Sequence, residues 1–299
     1  MERAGDDGGM VVLQHPAAAV LRYAAFAEAP GGGNPAGVVL DARGLDEAAM
    51  QRVAADVGFS ETAFAVPLAR RRWRLRYFSP QAEVAFCGHA TVATAVALAE
   101  RHGTGLIHFE TPVGEVVVDT GRRADGRVTA TFTSVPTATR PATADELRSA
   151  LAALRWADTD LDPRYPPHVA NAGNDHLLLA CVSRERLAAL DYDYERLAAL
   201  MGERGWVTVH LFWAETPTTF HARDPFPPGG QVEDPATGAA AAAFAGYLRD
   251  LGFVTPPARI VIHQGEDMGR PSLIRAEVVP GDRAVRVTGT AVPMPATGA

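Results

Sequence analysis

Two stretches of this chain break the usual alternation of apolar and polar positions. From Val92 to Ala99, and again from Ala239 to Leu248, small and apolar residues follow one another with no polar face. A helix that is apolar nearly all round has to be buried on every side. Each run follows a tight polar turn containing Gly. The first turn is Phe86-Cys87-Gly88-His89-Ala90-Thr91, and the second is Glu233-Asp234-Pro235-Ala236-Thr237-Gly238. Each run stops at a polar group, Arg101-His102-Gly103 and Arg249-Asp250-Leu251-Gly252. The pattern predicts one buried helix in each half of the chain, the same device built twice.

Around these helices the pattern predicts many short strands. In the first half they are Val20–Ala27, Ala36–Leu40, Ser60–Pro67, Trp73–Phe78, Leu106–Thr111, Glu115–Asp119 and Arg127–Ser134. Period-two alternation is clearest in Trp73, Leu75 and Tyr77 against Arg74 and Arg76. In the second half they are Leu177–Val182, Thr208–Trp213, Thr218–Ala222, Ala258–His263, Leu273–Val279 and Arg283–Gly289. Helical spacing marks Leu45–Val57, Ala144–Leu154, Glu185–Leu190 and Tyr194–Gly202. A buried helix needs walls all round, and a strongly curved sheet supplies them. The expected fold class is therefore α+β, with two similar lobes, each a barrel-like sheet around a central helix. The expected N-terminal lobe is 18–135, with 285–299 as its candidate completion. The C-terminal lobe is 136–284, reached through a crossover at Pro136–Pro141, and 1–17 reads as a mobile leader.

Composition narrows the function classes. The chain has 299 residues, enough for two domains, and 47% of them are hydrophobic. Its 28 basic residues against 35 acidic ones argue against a nucleic-acid surface. Two cysteines are too few for a disulfide framework or a Cys-rich metal site. No signal peptide and no apolar run of membrane-spanning length is present, so a cytoplasmic protein without a membrane partner is expected. The chain has no Gly-x-Ser-x-Gly elbow, no His-Glu-x-x-His and no phosphate-loop Lys motif. His168, Asn174, Asp175 and His176 read as a turn into a strand rather than as a metal site, and no metal is expected.

The two turns carry the chemistry. A buried helix N-terminus presents N–H donors and a positive dipole end. Two such ends facing one another would clamp an anion. His89 and Asp234 are proton-handling side chains in these turns. The expectation is an enzyme that moves protons on a small carboxylate held between two lobes.

Six motifs in order then resemble one family. They are Gly33-Asn34-Pro35-Ala36-Gly37-Val38-Val39, Ser60-Glu61-Thr62-Ala63-Phe64, Tyr77-Phe78-Ser79-Pro80, Cys87-Gly88-His89-Ala90-Thr91, Glu233-Asp234-Pro235-Ala236-Thr237-Gly238, and Gln264-Gly265 with Gly269-Arg270-Pro271-Ser272. They resemble the PhzF-like isomerases of phenazine biosynthesis, over about Tyr23 to Val287. The resemblance implies the diaminopimelate epimerase-like fold, cofactor-free proton transfer and a homodimer. It also implies Glu61 as the proton carrier, assisted by His89 and Asp234.

Each position has a plainer reading beside the functional one. Glu61 alone could be a loop charge, but it sits in the apolar run Val57–Val66, where burial raises a carboxylate's pKa toward the range a shuttle needs. His89 opens a buried helix, where the dipole favours the neutral imidazole. Asp234 could serve as a helix cap, and Glu233 reads as structural. Gly88, Ala90, Gly238 and Ala239 are the candidate backbone cradle for a substrate carboxylate. Cys87 reads as a small packing residue that touches substrate. The family commonly has Ser where this chain has Ala239, which removes one hydroxyl from the second turn. Two rival readings stand beside the isomerase. One is an epimerase or racemase, using Glu61 with Cys87 or His89 on opposite faces. The other is a non-catalytic ligand-binding protein that kept the cleft.

Overall fold

The computed structural model describes residues 12–15 and 18–294. In chain order the first elements are β1 (Val12–His15), β2 (Ala18–Ala25), β3 (Asn34–Val39), α1 (Glu47–Val57), β4 (Glu61–Ala69), β5 (Arg72–Phe78) and β6 (Glu83–Val84). There follow α2 (Gly88–His102), β7 (Gly105–Thr111), β8 (Gly114–Arg122) and β9 (Val128–Thr133). The second half holds β10 (Ala138–Pro141), α3 (Ala144–Leu154), β11 (His168–Asn171), β12 (Asp175–Ala180), α4 (Arg184–Ala188), α5 (Tyr194–Arg204) and β13 (Trp206–Thr216). It ends with β14 (Thr219–Pro225), β15 (Glu233–Asp234), α6 (Gly238–Asp250), β16 (Ala258–Gln264), β17 (Ser272–Val278) and β18 (Val285–Pro293).

Contacts divide the chain into two units. The first holds the residues up to Ala130 with those from Thr290, and the second is Thr131–Gly289. The chain leaves the first unit within β9 and returns to it within β18. Within the stretch expected as a leader, Val12–His15 form a strand antiparallel to β2. The rest of that expectation, residues 1–11 with 16 and 17, lies outside the described residues.

In the first unit β2, β3, β4, β5, β7 and β8 pair in that order. The pairings run antiparallel, parallel, antiparallel, parallel, antiparallel. β9 and β18 join the free edges and close an eight-stranded barrel. Inside it lies α2, with every residue from His89 to Ala99 buried. Its small side chains let the barrel wall approach from all sides. α1 packs outside, laying Met50, Val53 and Ala54 against Val39, Phe64 and Phe78. Asp46 caps it by accepting from the Ala49 N–H at 2.7 Å.

The second unit repeats this order. β11, β12, β13, β14, β16 and β17 pair antiparallel, parallel, antiparallel, parallel, antiparallel. β10 pairs with β11, and β18 with β17. The Ser134 and Thr137 N–H groups reach the Val285 and Arg283 carbonyls, tying the approach to β10 to the approach and start of β18. α6 lies within, buried from Ala240 to Leu248, and Phe244 stacks among Phe212, Phe220 and Tyr247. The expected repeat of a barrel around a small-residue helix is thus present in both units.

α3 starts with a capping box, Thr143 with Glu146. Glu146 also accepts from Arg140 at 2.7 and 2.9 Å. The Arg140 guanidinium and these bonds hold its carboxyl at about 2. A depressed folded pKa gives stability that is complete above the unfolded value, 4.5, and is lost as pH falls toward the folded one. Arg140 is half exposed, so screening reduces its share. Glu146→Gln should cost about 2 kcal/mol at neutral pH, read from urea midpoints. The gap should narrow as pH drops below about 4.5; a pH-independent gap would show that the charge is not what stabilises.

Candidate active site

In the first unit, Glu61 is the first residue of β4, paired with Ala36 of β3. The start of α2 brings His89 to it. His89 Nε2 lies 3.4 Å from Glu61 Oε2. The Ser60 hydroxyl is 3.4 Å from the same nitrogen. Cys87, the helix N-cap, caps nothing with its side chain. Its sulfur sits instead 3.3 Å from His89 Nδ1 and 3.7 Å from Nε2. Burial pushes the imidazole pKa down, against smaller opposing effects of Glu61 and of a hydrogen bond to the Pro35 backbone. His89 is therefore neutral at physiological pH, able to donate from one nitrogen and accept at the other. The Glu61 side chain is 14% exposed and that of His89 7%. The Glu61 side chain is thus somewhat more open to water than the imidazole beside it. Gly88 and Ala90 flank His89 in the first turn, and Ala90 is fully buried.

In the second unit, Asp234 belongs to β15, opposite Asp224 of β14. The cap of α6 is Thr237, not Asp234. The Thr237 hydroxyl donates to Asp234 Oδ2 at 2.6 Å, so it fixes the carboxylate rather than the helix end. Gln264 completes the turn. Its Nε2 donates to the Asp234 carbonyl at 2.7 Å and to Thr237 Oγ1 at 3.0 Å, while its Oε1 accepts from the Thr237 N–H at 3.1 Å. Gly238 is buried and Ala239 partly exposed at the first turn of α6. Next to Gln264, Gly265 has φ +74°, and a Cβ there would meet the Arg270 and Pro235 carbonyl oxygens at 2.5 and 2.8 Å. Gly269 has φ +71° with nothing near. Gly265→Ala should therefore cost about 3 kcal/mol and Gly269→Ala only about 1 kcal/mol in urea unfolding. Equal costs would mean that the contact with Pro235 is immaterial.

Several residues here were not legible in the sequence. Glu233, read there as structural, is held by Arg223, whose Nε donates to Oε2 at 2.8 Å and whose Nη2 donates to Oε1. His210 and Asp224 form a fully buried pair, 2.7 Å apart, on β13 and β14. Register across adjacent strands makes both pairs, and no local spacing announces them. Cys181 lies in the core of the second unit, where burial pushes its thiol up to about 12. It is no candidate for proton transfer. His176 is buried with Nδ1 on the Thr208 hydroxyl, and His168 bonds Thr139. Among the described residues one group of His, Cys, Asp and Glu could hold a metal ion, namely Glu61, Cys87 and His89. No described helix is long and apolar enough to cross a membrane.

Comparison with known proteins follows the same lines. The profile of a family described as phenazine biosynthesis-like protein matches residues 23–297. An uncharacterized isomerase of Deinococcus radiodurans is 36% identical over 286 residues, spanning 92% of this chain and 93% of its own. The trans-2,3-dihydro-3-hydroxyanthranilate isomerase of Pseudomonas chlororaphis is 32% identical over 254 residues, 84% of this chain and 87% of its own. The crystal structure of a Bacillus anthracis PhzF-family protein superposes with a TM-score of 0.83 at 27% identity, covering 92% of this chain and 96% of that one. The architecture is the diaminopimelate epimerase-like one.

Proposed function

The chain belongs to the phenazine biosynthesis-like family and is an isomerase of that family, and we propose that it moves a proton between carbons of a small carboxylic acid without a cofactor. The observation that carries this reading is the Glu61 carboxylate 3.4 Å from a neutral, buried imidazole at the mouth of a buried helix. In the proposed step Glu61 takes a proton from an acidified C–H. The electron pair moves into an adjacent double bond, and the same carboxyl returns the proton at another carbon. Nothing is oxidised or reduced. His89 orients the carboxylate and stabilises its protonated form by accepting from it. In this reading a substrate carboxylate is held by backbone N–H groups at a helix turn, Gly88 with Ala90 at α2 or Gly238 with Ala239 at α6, with Cys87 at the edge of the first. Asp234, fixed by Thr237 and Gln264, holds or relays a second proton. A cytoplasmic homodimer is the working form in this reading.

The test is incubation of a panel of small unsaturated and amino-substituted carboxylates in deuterated water. Enzyme-dependent deuterium uptake at carbon supports the proposal, and none across the panel counts against it. The epimerase reading keeps one observation, the Cys87 sulfur beside His89, which could serve as a second carrier. Chiral analysis of the same incubations separates the two, since an isomerase moves a double bond and an epimerase changes only handedness.

A further inference from the structure

We infer that Glu61, Cys87 and His89 form a binding site for a thiophilic divalent cation of the zinc class, and that its occupancy switches proton transfer off. Three donor types, carboxylate oxygen, thiol sulfur and imidazole nitrogen, converge within 4.8 Å of one another. These are the donors zinc takes in proteins. A tetrahedral zinc with nitrogen at about 2.0 Å and sulfur at about 2.3 Å holds those two ligands about 3.5 Å apart, and a nitrogen and an oxygen ligand about 3.3 Å apart. Here His89 Nε2 stands 3.7 Å from Cys87 Sγ and 3.4 Å from Glu61 Oε2. The sulfur also lies 3.3 Å from Nδ1, so an ion on Nε2 is seated once the Cys87 side chain swings round to the lone pair of that nitrogen. The imidazole is also bonded to the Pro35 backbone, the kind of outer contact that orients a metal-bound histidine.

Three protein ligands leave the fourth position for water. The carboxylate, the least buried of the three donors, gives the ion its way in. Binding replaces the Cys87 thiol proton, which leaves to solvent, and involves no redox change. An ion on Glu61 occupies the lone pair that would take the substrate proton. This half of the inference rests on Glu61 being the carrier; the site itself does not.

The test titrates chelator-treated protein with zinc chloride by calorimetry and with cobalt(II) chloride by absorption. The parent should take up one ion per chain, with a thiolate-to-cobalt charge-transfer band. Cys87→Ser and Cys87→Ala, checked for native circular dichroism, should lose the band and bind at least ten times more weakly. Cys181→Ser should keep both. No stoichiometric uptake by the parent, or an unchanged band in the Cys87 variants, overturns the site. Deuterium exchange that continues at stoichiometric zinc overturns the switch. Absence of exchange in the metal-free parent instead overturns the proton-transfer reading and the switch with it, while the titration alone still decides the site.

Discussion

Replacing Glu61 with Gln should lower deuterium exchange by roughly a thousandfold, within the span that a positioned acid–base group contributes. The amide has nearly the shape of the carboxylate but cannot take a proton from carbon. The fold should survive the change. Glu61 is the first residue of β4, its side chain is partly open to water, and its charge stands against a neutral ring rather than a buried cation. The stability change should stay within about 1 kcal/mol. Substrate affinity should hardly move, because the anion cradle is backbone. A variant that retained exchange within a factor of a few would remove Glu61 from the mechanism and leave His89 or Cys87 to be tested next.

The largest stability effect is expected at the Arg223–Glu233 pair. Both side chains are more than nine-tenths buried and meet fork to fork. Arg223 Nη1 also donates to the Ala188 and Leu187 carbonyls at 2.8 and 3.3 Å. Glu233→Leu strands a guanidinium in the interior and should cost about 4 kcal/mol. Arg223→Met strands the carboxylate and two carbonyls, at a similar cost. The double variant buries no unpaired charge and should recover most of the loss. Simple additivity of the two single changes would show that the pair does not act as a pair. Glu233 also precedes Asp234, so Glu233→Leu should lower exchange beyond its effect on folding.

What was legible in the sequence follows physical rules. α2 and α6 stood out because helices sealed inside barrels cannot afford a polar face. α3 was readable to the residue, since a capping box marks its start. β6 and β15 went unseen because two-residue ladders are too short to show a period. β11 carries His168, which drew attention as a polar group rather than as a strand residue. Among the candidate residues, His89 and Asp234 were legible from their turns, and Glu61 from its motif. The place of Cys87 was not, because its contact with the imidazole depends on how the α2 N-cap is set beside the start of β4. For the same reason Arg223 and Gln264 gave no local sign of holding the second turn.

The return of β18 to the first unit sets an order of events during synthesis. Thr290 is bonded to Phe26 and Ala27, the latter across 263 positions of chain, and Ala291 to Pro293 complete the edge of β2. A ribosome releases that segment only after the whole of Thr131–Gly289 has emerged. The first barrel to be started is the last to close. Until then the Tyr23–Ala25 part of that edge, beyond the stretch β1 covers, is open, and contacts this distant in sequence make closure slow. The nascent first barrel is therefore the stage most exposed to edge-to-edge association, and a fragment ending near Ala130 would keep that edge for good.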